Sequence, residues 1–314
     1  QDIYHLLILP VYSESKEIIS ASLRALINDG YPQDKLILVL TVEERAGEEQ
    51  LNQCRQLEIE FKEQFGYWLL TVHPDGIVGE LKGKGANQAW AARAVQKEII
   101  DKTGIDYAKI VVSVFDIDTV VGGGYFWRLT HAFLTAPDPH RTSYQPIPVY
   151  HNNLWKAHWF ARVSAYSNTF WQMMQQVREE KLATYSSHSM SWQALVDIDF
   201  WATNMVSEDS RIFWHFFCHY RGRYRVEPLY FPVSMDVCMD KTTGKTIGNL
   251  YRQQRRWAWG CAEIPYMMFG FLQNKEIGWW QKIHHTYTVL DGYWSWATAA
   301  LLLFLLGWLP IFLG

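Results

Sequence analysis

Several common signatures are missing from this chain, and each absence removes a class of function. The first apolar run, "HLLILPVYSES" (5–15), carries no G-x-G-x-x-G, which disfavours a dinucleotide-binding Rossmann domain. "KGKGANQAW" (82–90) has its lysines in the wrong order for a P-loop, and no Ser or Thr follows them. Four cysteines, Cys54, Cys218, Cys238 and Cys261, lie far apart without a C-x-x-C pair and read as buried free thiols in a reducing compartment. There is no H-E-x-x-H, and the adjacent His284 and His285 diverge on a helix, so a zinc site is unsupported. An excess of basic charge is lacking too: 29 Lys and Arg face 32 Asp and Glu, a net −3, which argues against a nucleic-acid partner. No internal repeat or low-complexity stretch occurs, and the start does not read as a signal peptide.

What is present describes a folded chain with an apolar end. Hydrophobic residues make up 49% of 314 and charged residues 19%, enough to bury a full core. From Gly292 to Gly314 no residue is charged, and 23 residues at helical rise span roughly 34 Å, the thickness of a hydrocarbon core. Trp294 and Trp296 open that segment like an interfacial anchor. A buried core helix is the alternative, and the chain reads as a piece of a longer membrane protein. Charge is also uneven. Between Arg221 and Arg256 eight Lys or Arg stand against three Asp or Glu, which points to an anionic ligand or to lipid headgroups.

The first 120 residues alternate continuous apolar runs with amphipathic stretches, the pattern of an α/β fold whose mainly parallel sheet is covered by helices on both faces. Strands are expected at 5–12, 35–42, 68–73 and 109–118, and helices near 16–29, 47–65, 85–101 and 122–134. Residues 137–150 hold four prolines and should form a connection with an edge strand. An aromatic helix over 154–181, a polar loop "TYSSHSMS", a strand near 223–233, a long helix over 246–273 and a shorter one over 278–290 follow. The expected division is a catalytic domain over 1–245, interfacial helices over 246–291 and a transmembrane segment over 292–314.

Four motifs carry chemistry. In "VFDIDTVVGGG", a strand would turn Asp116 and Asp118 to one side at its carboxyl end, where two hard oxygen donors suit Mg²⁺ or Mn²⁺ and a diphosphate. Capping of the next helix or turn is the alternative. Lys82 and Lys84 open a helix whose dipole favours an anion, or form a solvated pair. In "VSEDSR", Glu208 and Asp209 offer a general base, or a helix N-cap. Finally, Gln253, Arg256, Trp257 and Gly260 fall on one helical face, joining an amide, a guanidinium for bidentate phosphate binding and an indole wall for a sugar. An amphipathic helix on lipid headgroups is the alternative there.

P-V-Y-x-E (Pro10 to Glu14), an acidic end to the second strand, K-G-x-N (Lys84 to Asn87), D-x-D, E-D and Q-x-x-R-W occur in that order. In this order they resemble the family 2 glycosyltransferases, especially the membrane-integrated, cellulose-synthase-like branch. The resemblance implies a GT-A fold, a nucleotide-diphosphate sugar donor, a Mg²⁺ or Mn²⁺ cofactor and an inverting displacement onto a glycan or lipid-linked acceptor at the cytosolic face of a membrane. Position by position, it implies that Glu14 and Glu43 border the nucleoside and that Lys84 and Asp116 face the ribose and diphosphate. Asp118, with Asp116, would hold the metal. Asp209, in the Glu208–Asp209 pair, would take the acceptor proton, and Gln253, Arg256 and Trp257 would hold the diphosphate and the acceptor end. Glu43 stands where Asp is usual, Ser207 replaces the Thr of T-E-D, and "SSHSMSW" differs from the acceptor loop of cellulose synthases, so sugar identity and processivity do not follow. A silent nucleotide- or glycan-binding homologue is the rival reading, and a nucleotidyltransferase has no need of Q-x-x-R-W.

Overall fold

A computed structural model describes residues 2–313. Its frame is one eight-stranded sheet whose strands lie in the spatial order Tyr67–His73, Leu36–Glu43, Tyr4–Val11, Ile110–Val114, Ser189–Ser191, Thr142–Tyr150, Arg225–Met235, Val120–Val121. Four apolar runs form the parallel half: β1 (Tyr4–Val11), β2 (Leu36–Glu43), β3 (Tyr67–His73) and β4 (Ile110–Val114). Period-two geometry divides their side chains between two cores. Leu6 and Ile8 face one core, and Leu7 and Leu9 the other. The second core is closed by α1 (Lys16–Ile27) and α2 (Glu48–Phe61). The first is closed by α3 (Lys84–Val95), which runs on through a π-turn at Gln96–Ile100 into α4 (Asp101–Thr103).

Beyond β4 the chain adds a short β5 (Val120–Val121), helix α5 (Tyr125–Thr135), strand β6 (Thr142–Tyr150), helix α6 (Trp159–Gln176), strand β7 (Ser189–Ser191), and helices α7 (Trp192–Asp197) and α8 (Glu208–His219). Strand β8 (Arg225–Met235) follows. Two expectations change here. The proline-rich segment lies inside the sheet, parallel to β8 and antiparallel to β7, because the register shifts at Gln145/Ile147 and so accommodates Pro146. The polar "TYSSHSMS" stretch also supplies β7, which runs antiparallel between β4 and β6.

The remaining helices are α9 (Thr243–Ala258), α10 (Glu263–Gln273), α11 (Trp279–Leu306) and α12 (Leu309–Leu313). A 3₁₀ turn at Trp259–Ala262 breaks the single helix expected over 246–273. The break carries Gly260, where an added Cβ would lie 2.2 Å from the Tyr293 hydroxyl, so the close approach that glycine allows is to α11. Conversely, α11 is continuous, and the boundary drawn at 291/292 falls inside it. Among the described residues, the helical stretch Trp279–Leu313 is the one long and apolar enough to cross a membrane, and none of its most apolar window is buried against the described residues. The four cysteines are free, but Cys54 alone is buried and Cys261 is exposed on the turn.

Candidate active site

K-G-x-N explains how Lys84 is held at the carboxyl end of the sheet. A Cβ on Gly85 would lie 3.0 Å from Glu208 Cβ and 3.1 Å from the Ala202 carbonyl, so glycine lets α3 meet the start of α8. Buried Asn87 accepts the Thr41 hydroxyl at 2.6 Å and donates to the Thr41 carbonyl at 3.2 Å, tying α3 to β2. Lys84 Nζ thereby stands 2.7 Å from Asp116 Oδ1 and 3.0 Å from Asp209 Oδ2. Lys82 does not share this place; it pairs with Asp75 on the surface at 2.9 Å.

Charge in this cluster is unevenly distributed. Burial works against the Lys84 ammonium, but Asp116, Asp209 and Glu208 together outweigh it and hold the amine well above its usual range. Burial likewise opposes Asp116, yet Lys84, the Ser186 hydroxyl and the charge of Arg256 hold its carboxyl below the ordinary value. Asp118 goes the other way. Burial, Asp116 and Asp236 push it up to about 7, although its Oδ2 accepts the Asp236 N–H at 3.0 Å. Burial and the neighbouring Asp209 push Glu208 up to about 8.

The D-x-D pair lies differently from expectation. β4 ends at Val114, so Asp116 and Asp118 sit on the turn between β4 and β5 rather than on one face of a strand. Neither caps α5, whose N-cap is Gly124. Nor is Asp209 a helix cap: Ser207 holds that position, and the Asp209 carboxylate is taken by Lys84.

No three His, Cys, Asp or Glu among the described residues converge on one metal position. Magnesium-type ions are usually held by one or two carboxylates together with substrate phosphates, and Asp116 with Asp118 fits that mode. Burial and the repulsion from Asp116 that together raise Asp118 are what a divalent cation would offset.

The loop 183–188 closes the cluster from the other side. Thr184 donates to the Asp209 carbonyl at 2.6 Å, and Ser186 donates to Asp116. Gln145 holds this loop, accepting the Tyr185 N–H at 2.8 Å and donating to the Ser186 carbonyl at 3.2 Å. Fully buried His188 places Nδ1 2.6 Å from the Tyr185 carbonyl and 4.0 Å from Asp209 Oδ1, and burial keeps its imidazole below the usual range. Tyr150, at the end of β6, is raised by burial and by the charges of Asp116, Asp118 and Asp209 around it.

The other candidates are not drawn into this cluster by side-chain bonds. Glu14 Oε2 accepts the N–H groups of Tyr12 and Ser13, at 2.8 and 3.0 Å. Glu43, buried, takes the Arg45 guanidinium in a bidentate pair at 2.5 and 3.0 Å. Gln253, Arg256 and Trp257 lie on α9 without a side-chain hydrogen bond or ion pair among the described residues, and Arg256 is exposed while its charge reaches Asp116.

A sequence model described as glycosyl transferase family group 2 matches residues 111–313. The chain belongs to this family. Solved structures similar to the transferase include the mannosyltransferase PcManGT from Pyrobaculum calidifontis in complex with GDP-Man and Mn²⁺. That pair has 16% identity and a TM-score of 0.54, over 96% of this chain and 76% of the other. Staphylococcus aureus TarS 1-349 in complex with UDP is 11% identical with a TM-score of 0.58, covering 99% and 78%. The same TarS fragment with UDP-GlcNAc gives 12% and 0.57, covering 97% and 76%. At these identities the likeness shows a shared GT-A fold. No curated protein sequence matches the transferase.

Thr184, Ser186 and His188 escaped the sequence reading because a polar stretch without a motif looks like any loop, and Asp236 and Tyr150 because they reach the cluster only through folding. One more buried acid lies behind it. Glu263, the first residue of α10, accepts the Ser210 hydroxyl, and burial pushes it up to about 7 against that bond and against Arg211. A folded pKa above the unfolded value of about 4.3 means its contribution to stability is full below that pH and is lost as pH rises through about 7. Glu263→Gln is therefore expected to flatten the fall in melting temperature of the transferase between about pH 4.3 and 7, followed by circular dichroism. An unchanged slope would remove Glu263 from that role.

Proposed function

We propose that this transferase is an inverting, metal-dependent enzyme of the cellulose-synthase-like branch. It moves a sugar from a nucleotide-diphosphate donor, a UDP-sugar, to a glycan or lipid-linked acceptor at the cytosolic face of a membrane. The observation that carries the reading is the Lys84 ammonium held between Asp116 of the D-x-D turn and Asp209 at the start of α8. Uridine nucleotides in two similar structures, and Mn²⁺ with GDP-Man in another, support the donor class and the ion.

An incoming diphosphate competes with Asp209 for Lys84 and so frees the carboxylate lone pairs for a proton. The acceptor oxygen then bonds to the anomeric carbon as its proton passes to Asp209, and the carbon–diphosphate bond breaks with its electron pair leaving on the nucleoside diphosphate. Lys84 and Arg256 meet the charge that develops on the leaving group. Asp118 and Asp116 would hold Mg²⁺ or Mn²⁺, which would supply Lewis-acid stabilisation of that charge. Gln253 and Trp257 share the helix of Arg256 and face the diphosphate and the acceptor end, while Glu14 and Glu43 border the nucleoside. Trp294 and Trp296 begin the stretch of α11 that anchors the enzyme among membrane lipids.

The test is a donor screen on detergent-purified protein, reading released nucleoside diphosphate with and without acceptor. If none of the donors yields nucleoside diphosphate, the silent binding homologue is favoured. In the same assay Arg256→Lys is expected to lose at least about tenfold in rate, because an ammonium cannot reproduce planar bidentate contact. Parental activity in that variant would assign Arg256 to lipid headgroups instead.

A further inference from the structure

Helix α6 carries an apolar stripe that the fold leaves uncovered. Trp155, just ahead of the helix, Trp159, Val163, Tyr166, Phe170, Met173 and Val177 recur at spacings of three and four, and each is 51–78% exposed. Within the helix, from Trp159 to Met173, that spacing makes one continuous face, with Trp155 on the turn ahead of it and Val177 at its end. The opposite face is small or amide-bearing, with Ala161, Ala165, Gln172 and Gln176 buried toward β6. With side chains of roughly 150–250 Å² each, the stripe offers on the order of 800 Å², beyond what soluble surfaces leave exposed without a partner.

Three observations identify the occupant. First, Arg162 is the one charged residue in α6, and its guanidinium is turned back onto the carbonyls of Ala157 and Trp155 at 2.8 and 2.9 Å, so the stripe has no charge to match a charged protein partner. Second, both ends of α6 are fastened to the helices that lead to the apolar span. Phe160 and Leu250 of α9 pack on the same small cluster, and His284 Nε2 on α11 lies 3.1 Å from the Glu180 carbonyl just past the α6 end. Third, the segment from α9 to α11 exposes residues of the same kind, Tyr251 on α9, Trp259 on the turn after it, Phe269 on α10, and Trp279, Trp280 and Trp294 on α11. Indole and phenol rings with neutral polar neighbours are what the headgroup level of a bilayer accommodates.

We infer that the outer face of α6 lies in the interfacial layer of the membrane, a second contact that holds the catalytic domain down beside the α11 anchor. Contact of this kind is driven by apolar area rather than by anionic lipid. It rests on the reading of α11 as a membrane span, and the test separates the two.

The full chain would be reconstituted in phosphatidylcholine vesicles carrying nitroxide either at the headgroup or deep in the acyl chain. Phe170→Cys and Leu303→Cys, each in a Cys261→Ser background, would carry a fluorophore, with the Cys261→Ser protein as blank. The label at position 170 should be quenched severalfold more by the headgroup nitroxide, and the label at 303 by the deep one. A label at 303 quenched from within the bilayer while that at 170 stays open to an aqueous quencher overturns the α6 contact alone. Both labels left in water would overturn both readings. Shielding at 170 that disappears when the protein is diluted to one copy per vesicle would assign the stripe to a second copy of the chain and overturn the inference. Trp159→Ser with Phe170→Ser, both at exposed positions, should keep the circular dichroism spectrum and raise the aqueous accessibility of a fluorophore carried by Tyr166→Cys in the Cys261→Ser background. Unchanged accessibility would count against the proposal.

Discussion

Asp209→Asn is expected to slow sugar transfer by about 10²–10⁴-fold, the usual contribution of a positioned general base. Asparagine keeps the size of the side chain and can still meet the Lys84 ammonium through its carbonyl oxygen, but it has no carboxylate to receive a proton. Lys84 keeps its 2.7 Å contact with Asp116, so the cluster should hold together without the second acid. Donor affinity should therefore change far less than rate. Two measurements on one variant decide the matter: transfer at saturating acceptor, and nucleotide-sugar binding by calorimetry. Normal transfer would take Asp209 out of the mechanism. Lost donor binding together with early melting would make the residue a structural partner of Lys84 instead.

Withdrawing divalent cations is expected to stop transfer by at least about a thousandfold while the chain stays folded, since Lewis-acid stabilisation of a leaving diphosphate is worth several kcal/mol. The proposed donors, Asp116 and Asp118, come from one turn rather than from a cage that staples distant elements, so folding should not depend on the ion. Asp118→Asn should abolish the heat of Mn²⁺ binding measured in the presence of nucleoside diphosphate. It should not lower the melting temperature at neutral pH, because the amide removes a carboxyl that burial and Asp116 hold protonated up to about 7. Full turnover in excess chelator would remove the ion from the reaction, and Mn²⁺ binding unchanged in Asp118→Asn would move the ion elsewhere.

The parallel half of the sheet was legible because its strands are buried on both faces and need unbroken apolar runs, as "LILVLTV" in β2 shows. The other half was not. Strand β7 is three residues long and polar, and serine pairs well there only because Ser113 and Ser189 share a hydrogen bond at 2.7 Å inside the sheet. Strand β6 contains two prolines that propensity assigns to an edge, and its register shift beside β8 is what makes room for one of them. The expected strand over 109–118 ran too long for a related reason: Asp116 and Asp118 left the ladder to meet Lys84 and Asp236.

By itself the sequence determined the α/β class, the family-like order of K-G-x-N, D-x-D, E-D and Q-x-x-R-W, and the charge-free end, since periodicity, spacing and composition are local properties of a chain. The tertiary structure alone decided which of those residues meet. Lys84 and Asp209 are 125 positions apart and touch because Gly85 admits α8 against α3. Asp116 is held below the ordinary carboxyl range and Asp118 is pushed above it, two residues apart, because Lys84 pairs with the first while burial and Asp116 act on the second. That difference arises from distances and burial, which no pattern of letters encodes.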